Sequence, residues 1–350
     1  MKDITKYVKD SLFDLNKKVN GATTFEEKQL YRSYLFSLLA SIPNMGIDID
    51  LPDSLLFKAA LYDSIVDENY NKAMLHSFRA NRGFYKEFAR LSDFILDYYT
   101  DEPYKYIEKL SFDDAIELVA GFFSVYDKDI YNFFNESVDR NLFNVFLPSS
   151  DDAKEYNGFS YPIPGKRSIV VSLDNGDLET AGNITHETIH SYLNYIDGET
   201  TYFHDIQRAA NGVGETYSRF SEIAFMKYLS DIGFNQADIS SYMKNFNSSL
   251  SEFLFVFADV MSLKENAILN DHLDIYYNSR EYSLAGVLAY HYYDKYLDAP
   301  FEVKGDLLRL HQDSRTRDLS YLLDNCGLKK RNIVKPKLLV KHMNDFDDAA

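Results

Sequence analysis

The sequence predicts a mainly α-helical fold, and three observations point that way. Only 15 glycines and 8 prolines punctuate 350 residues, too few for a many-stranded sheet with its turns. Helix-start signals precede runs of apolar residues spaced three and four apart. One short run, Ser168–Leu173, has β character, and the sequence offers little else of that kind.

Residues 1–45 read as helical material. Thr24 can cap the helix that begins at Phe25, with Glu27 three residues on completing a capping box. Gly46 through Pro52 reads as a break, and helices are expected over 54–66, 70–98 and 101–110. Ser111 starts another, with Asp113 and Asp114 at its positive end and Ala115, Ile116, Val119, Ala120, Phe122 and Phe123 as a packing stripe. A further helix is expected over 127–141, followed by a loop at Ser149–Asp152. Around Tyr161–Arg167 the character changes, and the strand at Ser168–Leu173 is bounded by Gly165 and Asp174-Asn-Gly. That strand is expected either to pair with an extended peptide or to form a small structural hairpin.

The next helix should start between Asp177 and Asn183 and run to Ile196, with Ile189, Leu193 and Ile196 as its apolar stripe. Another carries Glu215 and Glu222 and reaches Tyr228. Residues 234–265 suggest two helices, 272–296 are rich in tyrosine with Gly286 allowing close packing, and the tail from Leu307 holds at least two more. The division expected is an N-terminal helical segment, 1–64, and a helical catalytic domain, 65–350.

Composition narrows the classes of function. The formal net charge of -17 argues against nucleic acid as the principal partner. Lys329-Lys330-Arg331 reads as surface charge. The N-terminal residues lack an apolar signal core and no later run reaches membrane-spanning length, so no membrane partner and a cytoplasmic location are expected. The single cysteine, Cys326, excludes an intramolecular disulfide framework and a cysteine-rich metal site.

The chemistry concentrates at His186-Glu187-Thr188-Ile189-His190. Two histidines four apart share one helical face and can turn ring nitrogens toward one ion. Glu187 lies beside that ion, where it can take a proton from metal-bound water. Zinc suits two neutral imidazoles and one carboxylate, with a fourth position left for water. Glu215 and Glu222 are both candidates for the third ligand; two helical turns apart, they share a side at different depths, and spacing alone does not choose between them.

Four stretches together resemble the oligoendopeptidase F and thimet-oligopeptidase family of zinc metallopeptidases. They are Ser111-Phe-Asp-Asp-Ala-Ile-Glu-Leu, Pro164-Gly-Lys-Arg-Ser, the His186–His190 motif and Glu215-Thr-Tyr-Ser-Arg-Phe-Ser-Glu222. The resemblance runs diffusely from residue 65 to 340. It implies a helical, zincin-type fold with a deep substrate channel and a small sheet beside one zinc ion. It favours Glu215 as the third ligand and Glu222 as a group that orients a histidine. Tyr282 matches the family's tyrosine-rich segment and is implied to stabilise the oxyanion. His272 lies near the expected histidine, although Asp274 is closer to the aligned place, and Tyr276 and Tyr277 are candidates for substrate contact. Ile189 stands where the family has glycine and Leu193 where it has another histidine. The chain is expected to be shorter than full-length members on its N-terminal side.

The function expected is zinc-dependent hydrolysis of internal bonds in short or unfolded peptides, by a monomer. Two alternatives are a peptide-binding protein on a peptidase scaffold and a zinc hydrolase of non-peptide amides.

Overall fold

Helix–helix packing builds this protein, and one small sheet is set against it. The structure is a computed structural model that describes residues 4–42, 53–100, 104–146, 158–161, 167–197, 202–264, 267–268 and 272–346. Helices α1 (Ile4–Gly21) and α2 (Phe25–Ser41) pack on each other, and the Thr24 hydroxyl accepts from the Glu27 amide while Glu27 reaches back to Thr24. Helix α3 (Asp53–Ala89) joins the first two helices expected in its region into one; the short α4 (Ser92–Ile95) and a 3-10 turn (Leu96–Tyr98) follow it.

The helix expected over 101–110 does not form in its described part, residues 104–110. Residues 104–110 are irregular, and their amides are satisfied from elsewhere: Ile107 and Glu108 donate to the buried carboxylate of Asp238 at 2.6 and 2.8 Å. A side chain from a later helix thus outcompetes local helical bonding.

Helix α5 (Phe112–Tyr126) starts at a capping box between Ser111 and Asp114, and it buries Ala115, Val119, Phe122 and Phe123. Helix α6 (Lys128–Asp139) begins where Asp127 accepts from two amides. Strands β1 (Phe143–Phe146), β2 (Gly158–Tyr161) and β3 (Ile169–Leu173) make one sheet in the order β1-β3-β2. β3 runs parallel to β1, with Phe143 opposite Val170, and antiparallel to β2, with Tyr161 opposite Ile169. This corrects one expectation: β3 is the middle strand, and with both edges paired it has no free edge for a peptide.

Helix α7 (Leu178–Asp197) lies on the sheet and packs against α5; α8 (Tyr202–Asn211) packs against α3. Then come α9 (Thr216–Asp231), α10 (Gln236–Ser262) and α11 (Leu273–Asp298). Residues 236–262 thus form one helix where two were expected. The centre of the molecule is the packing of α7 on α9, α9 on α11 and α10 on α11. Gly286 permits the last crossing: a methyl group there would lie 2.7 Å from Leu250 Cδ1. Helices α12 (Pro300–Asp313), α13 (Leu319–Asn325), α14 (Lys330–Ile333) and α15 (Pro336–Met343) complete the chain.

On α7, Ile189 and Leu193 are buried as expected, whereas Ile196, in the last turn, is exposed. Among the described residues no helix is long and apolar enough to cross a membrane.

Candidate metal centre

The two histidines project from the same side of α7, one turn apart. Their Nε2 atoms are 3.1 Å from each other, and each is 3.0 Å from Glu215 Oε2. Three atoms able to ligate a metal therefore form a nearly equilateral triangle. Zinc bonds of about 2.0–2.1 Å at tetrahedral angles separate neighbouring ligand atoms by about 3.3 Å, so this donor set fits such an ion. Among the described residues, these three form the one such group of histidine, cysteine or carboxylate side chains.

Glu215 reaches the histidines because of the turn that precedes α9. The residue occupies the helix N-cap, with φ -82° and ψ -2°, one position before the helix in which it was expected. Upstream, Gly212 takes φ +68°, a left-handed conformation that glycine adopts without strain. The fully buried Arg280 of α11 donates to the carbonyls of Ala209 and Ala210 at 2.7 and 2.9 Å, fastening the end of α8. Ser218 donates to the Glu215 backbone carbonyl at 3.0 Å and lies 3.2 Å from its Oε2.

Glu222, two turns into α9, does not enter the triangle. It accepts from His186 Nδ1 at 2.7 Å, which fixes the tautomer and leaves Nε2 directed at the triangle. Its other oxygen accepts from the Tyr242 hydroxyl at 2.6 Å. Tyr242 comes from α10 across α7, and Gly182 makes room, since a methyl group there would collide with the phenol ring. Burial disfavours the Glu222 carboxylate, but Arg219 and these hydrogen bonds outweigh it and hold its pKa below the usual value.

The site attracts positive charge. Burial alone would depress the His186 pKa, yet Glu215 and Glu222 push it up to about 10. Glu215 is held well below the usual carboxylate range, since the two histidines outweigh its burial. Glu187 is buried as well, with Oε1 4.0 Å from His186 Nε2, and it remains outside the triangle. Burial raises its pKa, and the neighbouring histidines offset part of that rise.

Tyr282, on α11, lies beside the cluster. The charge of Glu215, then burial, raises its pKa, with Arg219 opposing and Glu281 and Glu187 adding to the rise, so the phenol stays protonated. Its ring stacks on Phe253 at 4.8 Å and 17°, and the Arg219 guanidinium lies 5.4 Å from its centre.

Three other expectations fare differently. His272 is the N-cap of α11, and the helix is unbroken from there to Tyr282. Ten residues of helix separate the two by about 15 Å along the axis, so the structure does not bring His272 to the phenol of Tyr282. Tyr276 is fully buried in an aromatic cluster with Phe78, Tyr85 and Phe257, which removes it from substrate contact. Tyr277 sets its ring edge-on to Tyr70 and touches the site through Glu281.

Glu281 itself has no counterpart in the sequence reading. It is buried, and Oε1 would lie 2.7 Å from a methyl group at Gly214. Burial, then the charge of Glu215, raises its pKa to about 7. Its place next to Tyr282 was the available signal. Tyr242 and Arg280 had none, because each contact crosses from one helix to another.

No family model matches the chain, and no curated protein sequence does. Among solved structures, the chain is similar to a protein assigned as oligoendopeptidase F from Bacillus anthracis strain Ames, with TM-score 0.51 and 14% identity over 97% of this chain and 70% of that one. A second structure assigned as oligoendopeptidase F gives TM-score 0.54 and 14% identity over 96% and 71% of the two chains. PZ peptidase A with inhibitor 2 gives 0.52 and 14% over 97% and 72%. At this identity the likeness establishes the fold.

Proposed function

We propose that this chain, which has an oligoendopeptidase F-like fold, is a zinc-dependent endopeptidase that cleaves internal bonds of short or unfolded peptides. The observation that carries the reading is the triangle of His186 Nε2, His190 Nε2 and Glu215 Oε2, with a buried Glu187 beside it and outside it. His186, His190 and Glu215 would hold one zinc ion. Zinc bound there supplies a Lewis acid that polarises the scissile carbonyl and makes water more acidic.

The rest is done by side chains. Glu187, its pKa raised by burial, takes the proton of the attacking water and passes it to the leaving nitrogen. Tyr282 stays protonated and donates to the carbonyl oxygen as negative charge develops there. Glu222 accepts the proton of His186 Nδ1, so Nε2 is the nitrogen that would face the ion. Because β3 is paired on both edges, a bound peptide finds its backbone partners at an outer strand or on side chains. A channel that admits extended chains, a cytoplasmic setting and a monomeric state belong to the same reading.

The test is a peptide library incubated with the zinc-loaded wild type and Glu187→Gln, with products identified by mass. Internal cleavage by the wild type and its loss in the variant are expected. Equal cleavage by both would remove Glu187 from its role, and no cleavage of any library peptide by the wild type would move the substrate class away from peptides.

A further inference from the structure

Arg219 lies where the metal-orienting network meets the phenol of Tyr282. Its Nη1 is 3.5 Å from Glu222 Oε1, the oxygen that accepts from His186. Its guanidinium also sits 5.2 Å over the Phe246 ring and 5.4 Å over the Tyr282 ring. The side chain is 18% exposed, so a carboxylate and two aromatic rings hold the guanidinium in a largely dry setting.

We propose that Arg219 is a positioning residue for Tyr282, holding the phenol ring against Phe253 and thereby fixing the direction in which its hydroxyl donates. The inference rests on Tyr282 as the donor to the substrate oxygen and adds what keeps that donor in place. A tyrosine ring on a helix can swing about χ1 and χ2 unless both faces are held. Phe253 holds one face, nearly parallel at 17°, and among the described residues the guanidinium is the other group against the ring. A planar cation suits this role because it can stack on a ring while its edge donates to a carboxylate. Lysine keeps the charge and loses the plane. Glu222 pairs with Arg219 at 3.5 Å, so one guanidinium meets both the carboxylate and the ring.

The test labels Tyr282 alone with 3-fluorotyrosine and follows its fluorine resonance in the zinc-free and zinc-loaded protein. One sharp resonance is expected in the parent protein. Arg219→Met should shift and broaden it, and Arg219→Lys should fall between the two. In cleavage assays Arg219→Met should lower kcat about tenfold with little change in KM, since a displaced donor costs rate rather than affinity. That loss should vanish in the Tyr282→Phe background, and zinc affinity should stay within about threefold of the parent, less than loss of a ligand-orienting partner causes.

An unchanged fluorine resonance would overturn the proposal. So would an undiminished kcat loss in the Tyr282→Phe background, or a loss that follows zinc affinity alone, which would mean that Arg219 acts through Glu222. If Arg219→Met does not fold, Arg219→Lys carries the same comparisons. Should the parent protein cleave no peptide, the peptidase reading falls, and the fluorine experiment still decides whether Arg219 holds the ring.

Discussion

Tyr242 donates its hydroxyl to Glu222 at 2.6 Å from a helix that carries neither histidine. The other oxygen of that carboxylate orients His186 at 2.7 Å, so α10 helps to aim a candidate ligand on α7. Breaking this chain should weaken metal binding without removing a ligand. Tyr242→Phe and Glu222→Gln are each expected to lower zinc affinity by about 10–100-fold, measured by competition with a chelating dye. Unchanged affinity in both would mean that His186 is oriented by α7 alone.

Gly182→Ala tests the same contact from the opposite side. The new methyl group collides with the Tyr242 ring, which is packed within the core and cannot simply swing aside. Overpacking of this kind costs about 1–3 kcal/mol, read as a lower midpoint in urea at constant slope. A stability equal to that of the parent would show that α10 can retreat from α7 at no cost.

His291 gives a pH dependence remote from the candidate metal centre. Burial lowers its pKa below its ordinary value of 6.5, although Asp294 and a backbone bond with Ile333 oppose the shift. The unfolded chain therefore takes up the proton first. The neutral ring's contribution is complete above pH 6.5 and is lost as the pH falls through the interval below it. Thermal midpoints of the parent should rise between pH 5 and 6.5, and His291→Gln should flatten that rise. An identical slope in the variant would assign the dependence to other groups.

The capping box of α5 offers a simpler check. Ser111→Ala removes the acceptor for the Asp114 amide and the partner of the Asp114 carboxylate. A loss of about 1 kcal/mol is expected in the same urea measurement, with cleavage by the zinc-loaded protein unaffected. A loss of activity without a loss of stability would mean that α5 does more than support α7.

The parts of this molecule legible in its sequence were those set by local spacing. His186 and His190 share a face because they are four apart on a helix, and Ser111 and Thr24 announce helix starts through side chains that bond within one turn. Glu215 and Glu222 could not be separated that way. What separates them is the turn after Gly212, which leaves an end of α8 pinned by Arg280 from 70 and 71 residues away and brings Glu215 to the N-cap, level with the histidines. His272 was implied by the resemblance alone, with Asp274 nearer the aligned place, and an unbroken helix sets it about 15 Å along the axis from Tyr282. Residues 104–110 show the reverse effect, with a distant Asp238 overriding a local helical pattern. The stretch Pro164-Gly-Lys lies outside the described residues, and Arg167, the next residue of that motif, is buried with its guanidinium donating to the Phe133 carbonyl at 2.7 Å.

The proposed zinc site depends above all on two elements, α7 and the turn before α9, converging on one ion. Zinc content per chain, measured after dialysis for the parent, Glu215→Ala and Glu187→Gln, tests this most directly. One zinc in the parent, one in Glu187→Gln and a large loss in Glu215→Ala are predicted. Full zinc retention by Glu215→Ala, or none in the parent, would contradict it.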